Sequence, residues 1–209
     1  MVYYALLMAT YRQGDVSYAY PLMRGCAPLI VAAIGVVLLG EHLAAPQWLA
    51  ICLICGGVLA MAGRARGTAP GGSRTTVLAL ACAAAVAAYT LVDGTGVRLS
   101  HAPAGYTMWI FALTTLGVAA LAGRRWRELL PFVRQNPALP GGGALSVGAY
   151  WVALWAMTQA PVAAVAALRE TSILFATAIA ALLLRERVSP RRLAGAALIA
   201  CGAAAMRLA

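Results

Sequence analysis

The stretch YPLMRGCAPLIVAAIGVVLLG, residues 20–40, sets an arginine between two prolines and then runs on to Gly40 without another charge. Its length and apolarity are those of a helix that crosses a bilayer. Placing Arg24 in the hydrocarbon core costs about 2.5–3.5 kcal/mol on insertion scales, so such a residue normally faces a cavity or a partner, not lipid. Pro21 and Pro28 each remove a backbone donor and free a carbonyl. The expectation is a kinked helix whose polar backbone groups and guanidinium line an interior. The alternative is an arginine that snorkels to the headgroups.

The rest of the chain supports a membrane setting. It has 209 residues, of which 63% are hydrophobic and 11% charged, against about half and a quarter in soluble domains. The net charge is +10 and all sixteen basic residues are arginine. They fall mostly in short loops between apolar runs, as in membrane proteins, which argues against nucleic acid as a partner. The runs are continuously apolar, without strand alternation, so helices are expected rather than a barrel. Seven full spans are expected at about 18–39, 46–63, 75–97, 105–122, 141–160, 163–184 and 193–208. A shorter segment, 2–13, reads as the end of a longer helix. The stretch RRWRELLPFVR, within the loop 123–143, reads as an interfacial amphipathic turn with Trp126 at headgroup level.

An internal repeat links two parts of the chain. Shifting residues 24–61 by 145 gives twelve identities in thirty-eight positions without a gap, among them Arg24 on Arg169 and Glu41 on Glu186. Apolar composition alone does not match both an arginine and a glutamate. Repeats of this kind characterise transporters, with the substrate site near the midplane where the repeats meet.

Several residues are candidates for a substrate site. Tyr20 and Arg24 open the quoted stretch, and Arg169 is its repeat equivalent. Glu170 follows Arg169 and could pair with an arginine or carry a proton. Asp93 shares a helix face with Tyr89, beside Gly94 and Gly96, which permit close helix approach. It could bind a cation, relay a proton or neutralise Arg24 or Arg169. Trp151, Trp155 and Thr158 form one stripe, suited to an organic substrate or equally to packing or an interfacial belt. Glu41 and Glu186 read as structural. Cys52 and Cys55 form a CxxC in an apolar run, where packing is a better account than metal or redox chemistry.

The sequences YPLMRGCAPLIVAAIGVVLLGEHL and LRETSILFATAIAALLLRERV resemble the fourth and ninth helices of the EamA (DUF6) family of the drug/metabolite transporter superfamily. WLAICLICGGVLAMAG and LAGAALIACGAAAM resemble its fifth and tenth, which commonly read GxxLIxxG; Ala50 stands where the first copy's opening glycine is usual. The resemblance implies an all-α membrane bundle of two related repeats. Residues 1–63 would be the remnant of the first repeat, 64–74 a linker and 75–209 the second, five-helix repeat. It also implies that helices one, two and most of three are absent from this chain.

The function expected is a secondary transporter for a small organic, anionic metabolite in a bacterial inner membrane. The lipid bilayer is its environment, proton or ion coupling its drive, and a homodimer one arrangement left open. No cofactor and no metal is called for, and no phosphate-binding loop GxxxxGK[ST] is present. The alternatives are a truncated, non-transporting membrane protein or subunit, and, less favoured, a membrane-embedded enzyme. Against the last, neither Asp15 nor Asp93 lies in the GxGD of an intramembrane aspartyl protease, and no Ser–His or HExxH pattern appears. Twelve arginines sort to one side and two, Arg98 and Arg207, to the other. That bias puts the C-terminus outside, whereas the resemblance implies a cytoplasmic one. The family orientation is expected for an intact parent and the opposite for this chain expressed alone.

Overall fold

The computed structural model describes residues 2–13, 16–62, 73–123, 126–182, 185 and 189–208. Most of the expected linker, together with Asp15, Glu186 and the side chain of Trp126, lies outside them. Ten helices follow one another: α1 (Val2–Gln13), α2 (Val16–Leu38), α3 (Ala45–Ala60), α4 (Ser73–Ser100), α5 (Pro103–Ala122), α6 (Trp126–Gln135), α7 (Ala138–Met157), α8 (Val162–Arg169), α9 (Ser172–Leu182) and α10 (Pro190–Leu208). No strand occurs among the described residues. Three segments, Tyr18–Leu38, Ser73–Ser100 and Val162–Ile179, are long and apolar enough to cross a membrane. Large apolar side chains such as Leu38, Trp109, Leu116 and Phe175 stand exposed, which a bilayer would cover and water would not tolerate in such number.

Prolines mark the helix starts. Pro46 and Pro103 occupy the first turns of α3 and α5, where a missing N–H leaves nothing unpaired. The Gln47 side chain accepts the Ala44 N–H at 3.0 Å and closes the start of α3. Two prolines behave otherwise. Helix α2 runs through both Pro21 and Pro28. By their chemistry, these prolines deny the Ser17 and Arg24 carbonyls their usual i+4 donor.

The break appears in the repeat-equivalent segment instead. The expected continuous span 163–184 is two helices, α8 and α9, separated at Glu170–Thr171. Glu170 N donates to Ala167 O at 3.0 Å, Thr171 N to Leu168 O at 3.1 Å, Ile173 N to Glu170 O at 3.0 Å and Leu174 N to Thr171 O at 2.9 Å. Such i→i+3 bonds tighten a helix locally and often mark functional points. No proline or glycine announces this break, so the 3.6-residue pattern could not show it.

The chain forms two compact units, Met1–Val92 with Ala160–Ala209, and Asp93–Gln159. In the first, α3 and α10 make the closest helix pair. A Cβ built on Gly57 would lie 2.7 Å from both Gly195 O and Ile199 Cγ1. One built on Gly202 would lie 2.9 Å from Ala50 O and 2.7 Å from Ile54 Cγ1. Under the shift of 145, Ala50, Ile54 and Gly57 become Gly195, Ile199 and Gly202. Each contact therefore has its image: 57 on 195 as 202 on 50, and 57 on 199 as 202 on 54. The repeat read from sequence is a pseudo-two-fold crossing in space. Helix α8 is almost wholly enclosed, with Val162 through Ala167 all buried.

The second unit holds the end of α4 with α5, α6 and α7. Its α6 is strongly amphipathic, as the sequence WRELLPFVRQ requires.

Candidate functional site

Arg24, on α2, reaches Glu170 at the α8–α9 break, with Nε 3.0 Å from Oε2. The glutamate side chain is 6% exposed and the arginine 27%. Both facing atoms are buried, yet neither makes an aligned hydrogen bond. The charges touch, but the N–H is not directed at the oxygen. Buried ion pairs offset their desolvation only when geometry is good and further hydrogen bonds complete them. The pair neutralises charge between α2 and the α8–α9 break.

Arg24, Arg169 and Glu170 line one cleft together with Ala27, Pro28, Val31, Tyr89 and Thr90. The cleft is narrow, with room for about one water-sized sphere. Its charged lining residues sum to +1 when Glu170 is ionised. Tyr89 meets Tyr3 of α1 edge-on, with ring centroids 6.0 Å apart at 69°. Tyr20 is 42% exposed and does not line the cleft. It interacts with Arg24 electrostatically.

The other candidates fall in the second unit. Asp93 accepts a hydrogen bond from Tyr150 at 2.5 Å on one oxygen and from Tyr106 at 3.4 Å on the other. A Cβ on Gly96 would overlap the Tyr106 phenol, so this glycine lets the ring reach the carboxylate. The second unit thus gives Asp93 two phenol donors. Trp151 and Trp155 are 43% and 52% exposed on α7. The Thr158 hydroxyl donates to Trp155 O at 2.7 Å and so is turned to its own helix.

Three contacts lay beyond the sequence reading. Arg98 Nε donates to Met157 O at 2.8 Å, at the end of α7, where a helix-end carbonyl and the helix dipole both favour a cation. Glu41 Oε1 accepts the Val162 N–H at 2.9 Å and so closes the start of α8. Glu41 is brought there by a turn in which Gly35 O accepts both Leu39 N and Glu41 N and Gly40 takes a φ of 63°. The third is the Gly195–Gly202 face of α10. The repeated L-x-E and GxxLIxxG patterns flagged Glu41 and the α10 glycines but not their partners, and Arg98 lies in neither pattern. Of the CxxC, Cys55 is buried and Cys52 exposed.

The EamA-like transporter family matches residues 74–208. A solved chain described only as "Crystal structure of protein" is 20% identical, with a TM-score of 0.73 covering 99% of this chain and 73% of that one. At that identity the likeness shows the fold. No curated protein matches. With a helical membrane fold, a repeat that is also a spatial pseudo-two-fold, and a family match over most of its length, the chain belongs to the EamA-like transporter family and is a membrane transporter of the drug/metabolite transporter superfamily.

Proposed function

We propose that the chain is a secondary transporter for a small organic anion, whose carboxylate or phosphonate is met by Arg24 and Arg169. The observation that carries this is the lining of one cleft by both arginines and a single carboxylate, a net +1. An unpaired anionic group in a low-dielectric site is costly, and a guanidinium offers it a planar, charged donor set. The broken α8–α9 segment supports the reading, because transporters build binding sites from interrupted helices. A bacterial inner membrane is the setting, and rocking of the repeats with respect to each other is the transport motion.

The test is a thermal-stabilisation screen of the full-length, detergent-purified protein. Each small organic acid is paired with its neutral amide. Acids are expected to raise the melting temperature where their amides do not, and Arg24→Gln and Arg169→Gln should each remove that effect. Equal stabilisation by acids and amides would rule out an anion carrier.

A further inference from the structure

We infer that Glu170 is an internal anion that holds the substrate's place on Arg24, and that a proton on Glu170 vacates it, so that anion and proton bind together. This rests on the anion-carrier reading above and adds how the site is regulated.

The geometry is that of a place-holder. Glu170 is 5% exposed and its Oε2 lies 3.0 Å from Arg24 Nε without an aligned hydrogen bond. The carboxylate sits at the helix break, on a side chain whose own rotation leaves the backbone hydrogen bonds of that break in place. An anion that meets Arg24 and Arg169 beside an ionised Glu170 sets two negative groups side by side in a site of low dielectric, where like charges repel strongly. A proton on Glu170 removes that conflict. The proton rests on a carboxylate oxygen, the Arg24–Glu170 pair is replaced by an Arg24–anion pair, and the cleft keeps its net +1. No covalent bond between heavy atoms changes.

The groups facing Glu170 are few. They are Arg24 from α2, Cys55 from α3, Tyr89 from α4 and the adjacent Arg169. Glu170 is the carboxylate among the residues that line the cleft. The repeat adds no second one. The counterpart of Glu170 is Gly25, where a Cβ would lie 2.8 Å from Leu59 Cγ and 3.2 Å from Cys55 O. One proton per anion follows.

The test uses benzenesulfonate, an anion that does not itself titrate near neutral pH, with benzenesulfonamide as the neutral control. Binding to the wild-type protein is measured by titration calorimetry in two buffers of different ionisation enthalpy. Uptake of one proton per benzenesulfonate is expected, with affinity rising as pH falls by at most about tenfold per pH unit, the limit for a single proton. Glu170→Gln should bind more tightly than wild type at high pH, without pH dependence. Zero proton uptake by the wild type, or an unchanged pH slope in Glu170→Gln, overturns the inference, and the first of these needs no variant to fold. Undiminished benzenesulfonate binding by Arg24→Gln would instead overturn the anion reading itself.

Discussion

The carboxylates divide by the partner each has found. Glu170 faces a guanidinium, Asp93 two phenols and Glu41 a backbone N–H. Only the first was legible in outline, because an arginine six residues into an apolar run demands a counter-charge. Sequence gave no ground for choosing Arg24 over the adjacent Arg169, since that choice depends on where α8 stops. The Asp93 phenols come from α5 and α7, and nothing in the local spacing of α4 points to them. Removing the shorter of those bonds with Tyr150→Phe should lower stability by about 1.5–3 kcal/mol, as for a hydrogen bond to a charged group. A thermal melt in detergent reads this, and an unchanged midpoint would show the bond to be without weight. Glu41→Ala should cost about 1 kcal/mol through the lost cap of α8. Glu41→Gln, which keeps an acceptor oxygen, should fall well short of that in the same melt.

Among the helices, the pattern of apolar runs anticipated the elements well wherever the chain itself punctuates them. Pro46, Pro103 and Pro190 each stand at or near a helix start, and Gly123 with a φ of 52° follows the end of α5. It failed at α8–α9, where the break arises from a buried carboxylate and i→i+3 bonds, not from a residue that opposes helix. The prolines of α2, which suggested a kink, lie within an unbroken helix. The glycines of α3 show how far a side chain's environment governs its tolerance. Gly56 has nothing within 4 Å of a built Cβ, whereas Gly57 meets the Gly195 backbone at 2.7 Å. Gly57→Leu should therefore destabilise by about 1–3 kcal/mol or more, the range for overpacking. Gly56→Leu should be close to neutral in detergent or bilayer. Comparable melting temperatures for the two variants would mean that α3 and α10 do not cross at these glycines.

For the molecule as a whole, sequence conveyed the class, the repeat and the family, because each is written in apolar periodicity and in matched positions. Orientation is a different matter, for it depends on insertion and not on packing. The twelve-to-two arginine bias is a physical determinant of insertion, and it opposes the orientation that the family resemblance implies. Reporter fusions at Ala209 are expected to read outside when this chain is expressed alone. A cytoplasmic reading would show that the bias does not control its topology.

The crossing of α3 over α10 has a consequence for assembly. Its contacts are self-complementary: what residue 57 does to 195, residue 202 does to 50. A surface of that kind needs no covalent tether between its two faces, as in any isologous dimer. A gene cut within 63–72 should thus yield two polypeptides that find each other in the membrane through this seam.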